Sequence, residues 1–277
     1  MKNRIWFITG ISSGLDKALA QTVMEQGDFV IGTFRNQLQA DAFNAQNRDK
    51  AFALIMDVTN PAEIEKALKI IKEKFGRIDV LVNNAGYGFA GAIEESSLEE
   101  TRAVFEANFF GTLQVTQMAL PIFRAQKSGH IIQISSHGGF KAFMGFGIYN
   151  ASKFAVEGFS EALAQEVEPL GIKVTIVEPG PFRTNFAGHS FRQAATIIAD
   201  YNETAGIFRQ RIKAVDGKQE GDPLKASKAI FDITKLENPP LRLPLGKIAI
   251  VSLTTKLDGV MKDLNNFKGV AESTVYK

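Results

Sequence analysis

Tyr149 and Lys153 stand four residues apart, and Ser136 lies thirteen residues before the tyrosine. Side chains at i and i+4 share one face of a helix. A phenol with its ordinary pKa of about 10 exchanges protons poorly near neutrality. A neighbouring ammonium stabilises the phenolate and is expected to draw that pKa toward the working range. Ser136 closes an apolar run, Ile131-Ile132-Gln133-Ile134, that ends in two serines. A hydroxyl at a strand end can polarise a carbonyl oxygen. Each feature also has a plainer reading. The chain holds four tyrosines, so an exposed Tyr–Lys pair on a helix can arise by chance. A strand-end serine can simply satisfy backbone groups.

A second kind of chemistry is written near the start. Thr9-Gly10-Ile11-Ser12-Ser13-Gly14-Leu15 follows a strand-like run and opens a helix-like one. Glycines there permit a tight turn and let backbone N–H groups approach a phosphate, aided by the helix N-terminus. The spacing is Gly-x-x-x-Gly rather than the Gly-x-Gly-x-x-Gly dinucleotide fingerprint.

The elements that must position these groups follow from hydrophobic pattern. Short apolar runs at 4–8, 29–34, 52–56, 80–82, 130–134 and 173–177 read as strands buried on both faces. Helical periodicity covers 14–26, 37–47, 62–75, 98–125 and 151–170. The alternation predicts an α/β fold: one doubly wound, Rossmann-type domain over 1–277, with about seven parallel strands and helices on both faces. Residues 185–222 break the pattern and are expected to form a lid over a site. A helix at 223–236, a last strand at 241–245, a helix at 248–267 and a loose ten-residue tail complete the expectation.

Composition limits the function. Net charge is +2, which points to neither nucleic acid nor an acidic membrane. There is no cysteine, which excludes disulfides, thiolate nucleophiles and Cys-based metal sites. His130, His137 and His189 are too scattered for a metal motif and read as surface or loop residues, His137 least firmly because it adjoins Ser136. The first apolar run is too short for a signal peptide and no stretch is long enough for a membrane span, so a cytoplasmic location is expected.

Taken in order, the landmarks resemble the short-chain dehydrogenase/reductase family over roughly residues 4 to 185. Its turn reads Thr-Gly-x-x-x-Gly-x-Gly, and Asn83-Asn84-Ala85-Gly86 matches its Asn-Asn-Ala-Gly motif. The resemblance implies a nicotinamide cofactor held by Gly10, Ser12, Ser13, Gly14 and Leu15, with Asp57 and Val58 on the adenine side. It further assigns Asn84, Ala85 and Gly86 to the ribose wall, and Pro179, Gly180 and Thr184 to the nicotinamide side. Tyr149 and Lys153 would touch cofactor as well as substrate, Ser136 would hold the carbonyl oxygen, and Asn108 would support proton return to Lys153. Dimers or tetramers built on the two long central helices are also implied.

Two positions depart from the pattern or refine it. Asp16 replaces the last glycine of the turn. Turned outward, it would complement the helix N-terminus, and that pose is the expected one. At the end of the second strand, Phe34 and Arg35 stand where an NAD-specific enzyme often keeps an acid. Arginine clamps a 2′-phosphate, so NADP(H) is expected, with NAD(H) as the alternative. The resulting reading is reversible hydride transfer between nicotinamide and an apolar carbonyl or alcohol. Phe140, Phe143, Met144, Phe146, Phe182, Phe186, Phe191 and Phe208 are candidates for the pocket or for plain core. The competing class is a catalytically silent NADP(H) sensor, favoured mainly by Asp16. A sugar-nucleotide epimerase or dehydratase would need a larger C-terminal domain than this chain has room for.

Overall fold

Seven short strands form one wholly parallel sheet in the computed structural model, which describes residues 3–188 and 191–276. The order is β3-β2-β1-β4-β6-β7-β9, from β1 (Ile5–Ile8), β2 (Phe29–Phe34), β3 (Ala51–Ile55), β4 (Val80–Asn83), β6 (Gly129–Ile134), β7 (Ile172–Pro179) and β9 (Arg242–Leu245). Successive side chains of a strand face opposite ways. Trp6 and Ile8 therefore pack under α1 (Gly14–Glu25) and α8 (Pro223–Ile233), while Phe7 faces α3 (Pro61–Phe75) and the layer beyond. That layer holds α5 (Gly111–Gln126) and α6 (Gly147–Val167). Burial on both faces explains why these strands read as continuous rather than alternating apolar runs. The remaining helix of the first half, α2 (Gln37–Gln46), buries only Ala40.

The long central helix is not a single rod. It starts as α4 (Leu98–Phe105) behind a Ser97–Glu100 capping box and passes through a π-helical turn, Glu106–Phe110, into α5. Asn108 sits in that turn, fully buried. Its amide donates to Tyr87 O at 3.0 Å and Ser152 Oγ at 3.1 Å, and its Oδ1 accepts from Tyr87 N at 2.9 Å. The wide turn aims this polar side chain inward with every bond satisfied.

Several expectations change. A short second sheet joins β5 (Gly88–Ala90) to β8 (Phe191–Gln193), each too brief to show a period. Residues 185–222 contain β8, short helical turns and α7 (Ile207–Val215). The last helix, α9 (Lys247–Glu272), runs past 267, so the expected ten-residue tail shrinks to its final residues. His130 lies inside β6, not at the surface, because its ring nitrogen Nε2 meets Thr175 Oγ1 of β7 at 2.9 Å. Burial pushes its pKa down to about 3, keeping it neutral. His137 is half-buried against Phe143, with Nδ1 3.1 Å from Ser252 Oγ, and burial holds it at about 4. His189 lies outside the described residues. Among those residues no helix is long and apolar enough to cross a membrane.

Charge closes the sheet's far edge. Arg242 of β9 bonds Glu157 and Glu161 of α6 and Glu178 of β7. One guanidinium cannot balance three carboxylates. Burial first, then repulsion by Glu157, pushes Glu178 up to about 7 despite Arg242. A raised carboxyl pKa means that the folded state keeps a proton the unfolded chain has lost. This site's contribution should fall as pH rises from the ordinary 4.5 to about 7. Arg242→Ala, which leaves Glu178 and Glu157 buried and unpaired, should cost about 3–5 kcal/mol. Urea denaturation at several pH values measures both effects.

Candidate active site

The strand order reverses between β1 and β4, and there the sheet's C-terminal edge opens a crevice. A cavity of about 790 Å³ fills it. Every site residue expected from sequence lines this cavity except Asn108, which sits behind it.

The turn after β1 is built as a cradle. Gly10 and Gly14 have φ of 75° and 74°, a conformation costly for any residue with a Cβ. Gly10 N donates to Thr33 Oγ1 at 2.9 Å, which pins the turn to β2. Thr9 Oγ1 accepts from Asn84 N at 3.0 Å and Ala85 N at 3.2 Å, pinning it to β4. Ser13 is the N-cap residue of α1, yet its side chain makes no capping bond. The first N–H groups of α1 are thus free to meet an anion. This turn fits a pyrophosphate. Arg35, at the end of β2, is exposed and, among the described residues, makes no ion pair. Asp57 accepts from Thr59 N at 2.9 Å and Oγ1 at 2.8 Å, which fixes the rim after β3.

Ser136, Tyr149 and Lys153 meet at the opposite wall, where the start of α6 passes the end of β6. Ser136 Oγ accepts from Gly138 N at 2.9 Å, which orients it. Tyr149 is 4% exposed and stacks on Phe146 at 4.2 Å between ring centres, with Phe186 edge-on at 5.8 Å. Burial pushes its pKa up to about 12, opposed by a hydrogen bond with Ser136. The expected fall toward neutrality is not found, because desolvation of the phenolate outweighs everything near it. The phenol therefore keeps its proton at neutral pH. Lys153 Nζ donates to Ile134 O at 2.8 Å and lies 6.0 Å from the Tyr149 ring centre. Burial pulls Lys153 down to about 8, while the charges of Asp16 and Glu157 oppose that fall.

Asp16 overturns its expected outward pose. It is 1% exposed, lines the cavity and, among the described residues, leaves Oδ1 without a hydrogen-bond partner. At the third position of α1 the side chain points inward, since Lys17 and not Asp16 occupies the solvent face. Desolvation raises its pKa well above 3.8, against its own backbone N–H and Lys153. Also absent from the sequence expectations are Arg192 and Tyr87. The guanidinium lies 4.2 Å from the Tyr87 ring centre, and both line the cavity. Arg192 sits in β8, a strand of three residues too brief to show a period, so no local signal marked it.

A sequence profile described as short chain dehydrogenase matches residues 4–195. The chain belongs to that family. It is 41% identical over 248 residues to an oxidoreductase of Botryotinia fuckeliana, covering 89% of this chain and 90% of the relative. A 3-ketodihydrosphingosine reductase of Bacteroides thetaiotaomicron is 39% identical over 253 residues, 91% of each. A short-chain dehydrogenase structure from Streptomyces avermitilis superposes with a TM-score of 0.93 at 41% identity, covering 99% of both chains. Solved relatives of this fold are described with NAD, NADP or NADP+ bound. The protein is an oxidoreductase that uses a nicotinamide dinucleotide.

Asp16→Asn should flatten the fall in stability that sets in as pH rises above the ordinary carboxyl pKa of 3.8, because a proton the folded state holds more tightly than the unfolded chain no longer titrates. Melting temperature against pH for both proteins gives the answer. Parallel curves would mean that Asp16 ionises as an exposed carboxylate does.

Proposed function

We propose that this short-chain dehydrogenase is an NADP(H)-dependent oxidoreductase for an apolar carbonyl or secondary alcohol, with Tyr149 as its acid and base. The convergence of Ser136, Tyr149 and Lys153 on one wall of the cleft carries the reading. A nicotinamide dinucleotide bound there would supply or accept the hydride. Tyr149 delivers its phenolic proton to the carbonyl oxygen during reduction. Ser136 donates a hydrogen bond to that oxygen and holds it at Tyr149. Lys153 holds the cofactor's ribose side and provides positive charge as the phenolate forms. Asn108 keeps the π-helical turn against Tyr87 and Ser152, the neighbour of Lys153, and serves proton return from this side.

Arg35 supports NADP(H). It is an exposed guanidinium just past the β2 end, in no ion pair among the described residues, beside Phe34 rather than an acid. Such a group forms a charge-assisted clamp on a 2′-phosphate. Aromatic rings support an apolar substrate: Phe143, Phe146, Phe182, Phe186 and Phe208 line the cavity, with Ile212 and Val215 of α7. Phe140 and Met144 are spent elsewhere: Phe140 lies under Arg242, 5.0 Å away, and Met144 is exposed. A long-chain ketone matches both this lining and the name of the Bacteroides relative. Residues 185–222 act as the lid. Their α7 is fastened by the buried pair Arg209–Glu95 at 2.6 Å, and Glu95 also accepts from Ile198 N at 3.0 Å. Exposed Phe110 and Phe154 make the central helices an assembly face.

Tyr149→Phe should lower turnover at least about a thousandfold while NADPH still quenches Trp6 fluorescence or gains its own. Retained turnover would reject the mechanism. Arg35→Ala should weaken NADPH about tenfold or more and leave NADH nearly unchanged. A titration of both cofactors separates the two, and an equal loss would remove Arg35 from cofactor choice. A screen of long-chain and aromatic ketones at the nicotinamide absorbance tests the substrate class.

A further inference from the structure

α9 is longer than the body of the protein can use. Ala249, Ser252 and Leu253 are its buried residues, all within its first two turns. From residue 254 to 272 every position is exposed, about 29 Å of helix at 1.5 Å per residue. The sequence of this stretch is a poor helix former on its own. Gly259 and Gly269 each cost about 1 kcal/mol relative to alanine, and Asn265 and Asn266 add to that. Nothing lies within 4 Å of the position of a Cβ at either glycine. A helix of this composition draws its stability from a packed face.

That face is present. Ile250, Leu253, Leu257, Val260, Leu264, Phe267 and Ala271 follow one another at alternating steps of three and four residues. This is the 3.5-residue period of a helix-pairing seam, sustained over three heptads. Leu257 is 52% exposed, Leu264 59% and Phe267 63%. With Val260 and Met261, five large side chains at roughly 100 Å² each offer about 500 Å² a copy. Ile250, on the same stripe, extends that toward the about 800 Å² per partner of a standard stable interface.

We propose that α9 docks against α9 of a second copy of this chain, seam to seam. Charge selects that occupant over a lipid surface. A helix that lies on a membrane carries a lysine- or arginine-rich polar face. Here Lys247, Lys256, Lys262 and Lys268 are met by Asp258, Asp263 and Glu272. Acids and lysines both flank the seam, with Lys256 and Asp263 on one side and Lys268 on the other, so opposite charges can face across a pair. The surface is separate from the central helices and from the cleft.

The test is light scattering on the full chain. The wild type should have at least twice the 30.3 kDa of one chain. Leu257→Glu with Leu264→Glu should halve the wild-type mass, and Lys262→Glu on the opposite face should leave it unchanged. Retained NADPH binding and the main melting transition show that the double variant is folded. A monomeric wild type, or a double variant of unchanged mass, overturns the proposal. Cosedimentation with phosphatidylserine vesicles that the double variant loses, without a change of mass, also overturns it and assigns the face to a membrane.

Discussion

The structure depends on the place where the sheet changes direction. β1 pairs with β2 on one side and β4 on the other, and chain growth turns outward from it both ways. The two loops leaving β1 and β4 must therefore diverge, and a crevice opens between them. The Thr9 hydroxyl spans that gap to two backbone N–H groups, and the Thr33 hydroxyl holds the other shoulder of the turn. A crevice that would otherwise be soft is thereby fixed at the position where the α1 N-terminus points into it.

Burial of charge organises the other wall. Lys153 and Glu157 are one turn apart on α6, and Glu157 is in turn held by Arg242 of the last strand. The chain of charges runs Asp16, Lys153, Glu157, Arg242, Glu178, with signs alternating along it. Each member is costly alone in a low-dielectric interior and tolerable beside its neighbours. An arginine at the sheet edge thus bears on a lysine in the cleft without touching it. Lys153 at about 8 sits close to its own titration, so small changes in this ladder shift its charge near neutral pH.

Much of the fold was legible because parallel strands covered on both faces leave unmistakable apolar runs. Six of the seven strands of the main sheet lie where those runs are, and the last, β9, lies in the separately expected 241–245. The second sheet was not legible, since three residues of β5 and three of β8 carry no period. Continuous helical pattern over 98–125 concealed the π-helical turn at Asn108, because an inserted residue changes hydrogen bonding without changing polarity. The aromatic candidates divided only in three dimensions: Phe146 and Phe186 flank Tyr149, while Phe140 serves Arg242.

Residue type and spacing by themselves determined which groups could do chemistry: a phenol, an ammonium and a hydroxyl in order, behind a glycine turn. These are local properties, set by helix and strand periods. Only the tertiary structure decided how those groups are charged. An acid favours a helix N-terminus, which sends Asp16 outward on sequence grounds, yet it lies inward with an oxygen unpartnered among the described residues. Tyr149 was expected to be acidified by Lys153, and it is held near 12 by burial. Desolvation depends on what other segments bring over a side chain, and that information lies nowhere near it in the chain.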